Sequence, residues 1–465
     1  MKKFLALFLI MAMLVSSLAI FSSCKDSVSK AEVSDDPYTT LMKASRNTIT
    51  DFFIVDDKAK DIIKDASKKG AYTVKLSDID GYDDLEDMTA TLYADAEKKN
   101  FVVDYAMTLD DEDYNYRIFA NPDALVATID QIDRTLKVDL NKFTKEFEDS
   151  DLFEMANLDD KAVKEYVEAF MELFEDIKAK LDESYAKSVE NANEYISIFV
   201  SEVVEGKITI DGEKVTCIKM PLTFNTKNVK KFINKIYAEA DALEDLDEFE
   251  DSKDDLIERV EYLLEDKELN LDLYINKDTT SFAKIVVKAD LGEDAPAIKG
   301  EIFFSESKIV FKGSVKTETT ENALTAEITK TTSDTKTTFK FSAEVTHESG
   351  STEAKIKIAE GSFVYNKDSG SVKATIEIPG DLVGTDMEIS FKGNFKTDGK
   401  KVIFTANEVS IEDADGNYSE SYDFKLQLIV DSGAKAPSAP KNATNIMELD
   451  EDEWMELVED LNDMM

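Results

Sequence analysis

The chain has 465 residues, with 98 acidic side chains against 55 basic ones and a formal charge of −43. Its 43% apolar content is enough to bury a core, which excludes wholesale disorder. Charge this negative is repelled by phosphate backbones and anionic headgroups, so nucleic-acid binding and electrostatic membrane adsorption are excluded as main roles. One histidine leaves no multi-histidine zinc site, and two cysteines make no disulfide framework.

The N-terminus carries the most specific signal. Lys2 and Lys3 precede an apolar stretch from Phe4 to Ile20, broken by Ser16 and Ser17, and then Phe21-Ser22-Ser23-Cys24. This resembles a bacterial lipoprotein signal peptide: Ser22 and Ser23 fit the lipobox, while Phe21 stands where leucine is usual. The resemblance implies removal of residues 1–23, a thioether-linked diacylglycerol on Cys24 and acylation of its new amino group. Two or three acyl chains, at about 0.8 kcal/mol per buried methylene, make a stable anchor. Two other readings use the same residues: cleavage after Ala19, and an uncleaved N-terminal helix near the minimum length for spanning. Processing before Cys24 would leave a mature charge of −45 and Cys217 as the one unmodified thiol.

Residues 24–37 are polar and read as a tether. A single body is expected over 38–430. Its first part, from Tyr38 to about Lys69, is helical, with Asp57 as a helix-capping candidate and Ile62, Ile63 and Ala66 on one face. Short alternating runs over 71–140 predict a meander of half-buried strands. Helices are expected over 139–199 and 226–266, the first from a stripe that includes Val163, Phe170, Phe174 and Ile177. The second carries Phe232, Ile236 and their neighbours on one side, with Thr226 or Asn228 as its cap. Between them, Asp211-Gly212 predicts a tight hairpin.

Residues 268–430 read as strand after strand, with turns short enough to require antiparallel pairing. One face of these strands is Val/Ile/Leu/Phe and the other Lys/Thr/Glu, so one side is wet and the other covered. A linker over 431–445 and an amphipathic helix over 446–465, with Trp454, Leu457, Val458 and Leu461 at helical spacing, close the chain. The expected fold class is therefore α+β: a long antiparallel meander, curved like a half-barrel, with inserted helices on one face.

No catalytic motif is present. There is no Gly-x-Ser-x-Gly, Walker loop, Gly-x-Gly-x-x-Gly or His-Glu-x-x-His. His347 and Cys217 read as structural residues, and no cofactor, metal or catalytic residue is assigned. The densest acidic run, Glu239–Asp251, has eight acids in thirteen residues and reads as a solvated helix face.

The order of strands and helices behind an N-terminal lipobox resembles the half-barrel lipoproteins typified by the outer-membrane lipoprotein carrier and mycobacterial lipid-carrying lipoproteins. It is also similar to large uncharacterised lipoproteins of gut Firmicutes. The lipobox implies a place on the extracytoplasmic face of a bacterial membrane, anchored through Cys24, and a monomer is expected. The half-barrel resemblance also implies a lipid or other hydrophobic ligand between helices and sheet, lined by Phe170, Phe174, Ile177, Phe232 and Ile236. The same stripes can instead pack as a dry core. Two further readings stand beside ligand binding: an envelope structural protein with an acidic surface, and a carboxylate-based hydrolase.

Overall fold

The computed structural model describes residues 28–463, leaving out 151–184 and 240–246. It also leaves out short stretches at 55, 79–84, 96–97, 99, 110–111, 131–133, 149, 266, 291–296, 318–319, 350–351, 381–384 and 414–418. Among the described residues twenty strands form one sheet. The first six are β1 (Lys69–Ser77), β2 (Leu85–Asp95), β3 (Asn100–Leu109), β4 (Glu112–Asn121), β5 (Ala124–Ile129) and β6 (Arg134–Asp139). A hairpin follows, β7 (Val204–Ile210) and β8 (Glu213–Asn225). Asp211 and Gly212 join its strands, and both have positive φ, as a two-residue turn matched to strand twist requires.

The long meander runs through β9 (Glu268–Asn276), β10 (Phe282–Asp290), β11 (Ala297–Phe304), β12 (Lys308–Lys316), β13 (Thr320–Thr332) and β14 (Lys336–Ser349). It continues through β15 (Thr352–Asn366), β16 (Ser371–Ile378), β17 (Met387–Asp398), β18 (Lys401–Asp413) and β19 (Ser419–Asp431). A two-residue β20 (Thr444–Asn445) lies parallel to β6.

Every other pairing is antiparallel, and consecutive strands are neighbours almost throughout. Besides β6–β20, one pairing is non-consecutive and joins the early and late strand blocks: β1 takes β2 on one side and β19 on the other, with Ala71 opposite Asp431 and Leu76 opposite Leu426. The spatial order is thus β7 through β19, then β1 through β6, then β20. Among the described residues β7 and β20 are the two ends, with no pairing between them.

This corrects the α+β half-barrel expectation. The early and late strand blocks are one continuous sheet, antiparallel but for β20, with the described helices packed on it or, as for α7, on a neighbouring helix. The protein is mainly β. The physical reason is the β1–β19 seam, which merges what read as two strand zones around a helical insertion.

The eight described helices are α1 (Lys30–Asp35), α2 (Pro37–Phe53), α3 (Asp57–Ala66), α4 (Phe143–Glu148), α5 (Tyr185–Ser197), α6 (Thr226–Glu239), α7 (Asp247–Leu264) and α8 (Glu451–Asp463). None is long and apolar enough to cross a membrane. Within the stretch expected as a tether, Lys30–Asp35 are helical. Ser29 and Glu32 form a capping box that starts α1, and Val28 and Val33 are buried. In α2, Asp36 caps and Pro37 opens the helix, and Thr40, Ala44, Thr48 and Phe52 form a buried stripe at four-residue spacing. Asp56 rather than Asp57 caps α3, accepting from Lys58 and Ala59, and Ala59, Ile62 and Ala66 are its buried face.

The main core lies where α1, α2, α5 and α6 meet β8–β10. Ile218, Met220 and Ile275 are fully buried there beside Val33 and Ala44. The opposite face of the meander is polar, with cross-strand pairs such as Lys284–Glu301, Lys308–Glu327 and Lys392–Glu408. The expected linker is also structured in part: Ala436 and Ala443 pack on Val102, Phe119 and Val126.

Candidate functional site

Two concavities lie on the apolar face of the same strands. The larger, about 700 Å³, is walled by the end of α2, the start of α3, and the turns joining β7–β8, β9–β10 and β11–β12. Thr48, Phe52, Phe282, Phe304, Ile309 and Lys330 contribute to its lining. Two contacts fasten α2 to the β9–β10 turn. The Thr48 hydroxyl accepts from the Phe282 amide at 2.7 Å while donating to the Ala44 carbonyl at 2.6 Å. The Asn47 amide donates to the Thr279 and Thr280 carbonyls at 3.1 and 3.2 Å. Thr280 sits at φ +52, a conformation β-branched residues avoid, and is fully buried with no hydrogen-bond partner for its hydroxyl among the described residues. The wall of this cavity is therefore held in place at a cost in backbone strain.

Lys330 is the notable charge. It stands on the apolar face of β13, its ammonium 5.6 Å from the centre of the Phe52 ring and 6.0 Å from that of Phe339. Its nitrogen donates to the Asp51 carbonyl at 3.1 Å, satisfying one of the free carbonyls in the last turn of α2. No carboxylate lies within ion-pair distance of it among the described residues. Burial, with a smaller contribution from Lys60, holds its pKa below the usual lysine value, against the opposing influence of Asp51 and Glu306. Lys60 lies 3.9 Å from Asp51 and 3.6 Å from Asp57. Asp211 and Glu213 line the opposite wall.

The second concavity, about 400 Å³, is apolar and lies farther along the same strands. It is centred on Gly300 and Gly313, which face each other across β11 and β12, with Val287, Phe311, Leu324 and Val345 around them. Two adjacent glycines remove the side chains that would fill the row, and the Phe311 ring leans over Gly313, where a Cβ would sit 2.8 Å from it.

Of the expected lining residues, only Phe232 and Ile236 are among the described ones, and neither lines the larger cavity. Phe170, Phe174 and Ile177 lie outside the described residues, as does Cys24. Phe232 packs in the main core, its ring 5.5 Å from that of Phe199, and Ile236 faces outward at 41% exposure. The cavity is instead made by the N-terminal helices. The signal for it was a break in alternation: Lys330 shares the parity of Leu324, Ala326 and Ile328, and Gly300 and Gly313 occupy apolar-face positions.

His347 is at the exposed end of β14, its Nδ1 2.6 Å from the Asn322 side-chain oxygen. Cys217 is buried among Ile210, Val215 and Ala283, and burial pushes its thiol up to about 11, which leaves little thiolate at neutral pH. Among the described residues no group of three or more His, Cys, Asp or Glu is placed to hold a metal ion.

No family model matches the chain, and no curated protein matches it. Among solved structures it is similar to Wzi of Escherichia coli, an outer membrane protein involved in group 1 capsule assembly and a carbohydrate-binding β-barrel. That match has 5% identity and a TM-score of 0.27, covering 90% of this chain and 95% of that one. Pseudomonas aeruginosa OccK2 (OpdF), in complex with glucuronate, matches at 6% identity and a TM-score of 0.17, covering 78% and 95%. Neither score reaches what a shared fold requires.

Proposed function

We propose that the protein is an envelope lipoprotein, anchored outside the bacterial cytoplasmic compartment through Cys24, that holds a small hydrophobic or amphiphilic molecule against the apolar face of its sheet. The observation that carries the binding role is the cavity of about 700 Å³ between α2, α3 and the turns of β7–β12. Small-molecule sites commonly span roughly 300–1,000 Å³, with apolar walls and a few placed polar groups. Phe52, Phe282, Phe304 and Ile309 supply the first, and Lys330 with the turn hydroxyls the second. The basic start, apolar stretch and Phe21-Ser22-Ser23-Cys24 support the anchor.

Binding is tested by gentle purification of the full chain, organic extraction and mass spectrometry, followed by displacement of a fluorescent fatty acid. Co-purified lipid and saturable displacement are expected, and their joint absence refutes the binding role. The anchor is tested separately by metabolic labelling with an alkyne fatty acid. Label should be incorporated by the parent and lost in Cys24→Ala; equal labelling of both refutes the assignment.

A further inference from the structure

The two concavities share one face and one set of strands, and four rows of residues connect them. Lys330, opposite Phe339, is the first row. Phe304, Ile309 and Ile328 lie side by side in the next, then Ile302, Phe311 and Ala326, then Gly300, Gly313 and Leu324. Each row is two residues farther along every strand, so all of them point the same way. The middle rows are half-buried rather than sealed, leaving a stripe of apolar surface between a cation and a glycine dent. From Lys330 to Leu324 the path covers about 20 Å at the rise of an antiparallel strand. That is the reach of a long, extended acyl chain.

Resting on the binding role proposed above, we infer that this stripe is one site for a long-chain carboxylate, with its carboxylate on the Lys330 ammonium and its chain end in the Gly300–Gly313 dent. The chemistry is complementary at both ends. Lys330 has one hydrogen-bond acceptor among the described residues, the Asp51 carbonyl, and no ion-pair partner, so it retains donors for an anion. The charged groups around it are Lys60 from α3, Asp51 from α2 and Glu306 from the β11–β12 turn, with Asp211 and Glu213 on the far wall. Asp51 and Glu306 balance the two lysines in formal charge. The acids of the far wall add further repulsion toward a dianion, so a singly charged headgroup is favoured. At the other end the Phe311 ring covers Gly313, and the dent admits methylenes beside Gly300, where an added Cβ would meet nothing closer than Val287 at 3.6 Å.

The test is isothermal titration of the full-length chain with hexadecanoic acid, its methyl ester, decanoic acid and a singly charged lysophospholipid. The same ligands are titrated into Lys330→Met, Lys330→Gln and Gly300→Leu, with melting curves confirming that each variant folds. Gly300 tolerates a Cβ, whose nearest neighbour would be Val287 at an ordinary 3.6 Å. The parent should bind the acid at least about tenfold more tightly than the ester, as loss of a charge-assisted hydrogen bond implies. Either lysine variant should abolish that preference. Gly300→Leu should weaken hexadecanoate while sparing decanoate. Equal binding of acid and ester by the parent, or a preference that survives both lysine variants, overturns the headgroup assignment while the binding role stands. Tighter binding of the lysophospholipid overturns the choice of carboxylate. An unchanged chain-length preference in Gly300→Leu overturns the dent as the chain end. No binding of any of the four ligands refutes the binding role for lipids itself.

Discussion

Replacing Gly70 with alanine tests the seam that joins the early and late strand blocks of the sheet. Gly70 lies in β1 under the last turn of α3, opposite Ala94 of β2 and beside the end of β19. A Cβ there would sit 2.7 Å from the Asp431 carbonyl oxygen and 2.9 Å from both the Cα and Cβ of Ala66, where ordinary contact begins near 3.4 Å. Two of those three atoms are backbone, so relief requires moving β19 or α3 rather than rotating a side chain. Overpacking of this kind costs about 1–3 kcal/mol, and with two elements obstructing we expect the upper end, about 3 kcal/mol. Gly206→Ala is the control. Gly206 lies in the end strand β7, and a Cβ added there would meet nothing within 4 Å. Alanine at that position should leave stability within about 0.5 kcal/mol or raise it slightly. Urea unfolding of both variants, followed by far-UV circular dichroism, gives the comparison. A Gly70→Ala variant within about 0.5 kcal/mol of the parent would refute the close approach of α3, β1 and β19.

Met220 is fully buried where β8 meets the helices, so Met220→Ala should cost about 3 kcal/mol in the same assay, with no change in ligand-chain preference. Asp95, buried at the end of the β1–β2 ladder, accepts from the Lys69 ammonium at 2.7 Å and from the Lys98 amide at 3.3 Å. The Lys69 bond foremost holds its carboxyl below the usual range. A lowered carboxylate pKa stabilises the fold above the unfolded pKa and ceases to do so as pH falls through the folded one. Asp95→Asn should therefore lower the melting temperature at pH 7, and the gap from the parent should close below pH 3.8. Arg134 of β6 pairs with Glu456 at 2.9 Å and Asp460 at 3.2 Å. Arg134→Ala should raise hydrogen exchange across residues 451–463, whereas unchanged protection would show that these ion pairs do not hold α8 in place.

Strands were legible because the side-chain period is two and one face is apolar. Leu269, Leu271, Leu273 and Ile275 mark β9 unaided, and Asp211-Gly212 names its own turn through the positive φ both residues adopt. What sequence could not supply was partnership at long range. Val74 and Leu428 each read as a residue of a half-buried strand, and no local pattern says that they face each other. The extent of β15 is obscured for a different reason: an irregularity in its pairing with β14, between Ala343 and Glu344, shifts the alternation, and Gly361 then thins the apolar pattern before Phe363 and Tyr365. The site was hidden because its walls come from α2, α3 and three separate turns, while in the helical stripe of α6 Phe232 packs in the core. Lys330 carried the one local clue, a cation on the oily parity of its strand.

The β1–β19 seam also governs the order of assembly. Ala71 must find Asp431, 360 positions farther along the chain, and closing a loop of that size costs about 5 kcal/mol of chain entropy before any contact rewards it. Until β19 arrives, β1 is a nine-residue strand with one bare edge, the kind of template on which other chains aggregate. Helix α3, whose buried face needs Val402 and Val430, has nothing complete to dock on before then. The wall it lends to the cavity is therefore among the last parts to form, and a chain cut short of β19 would leave that wall undocked and β1 without protection against self-association.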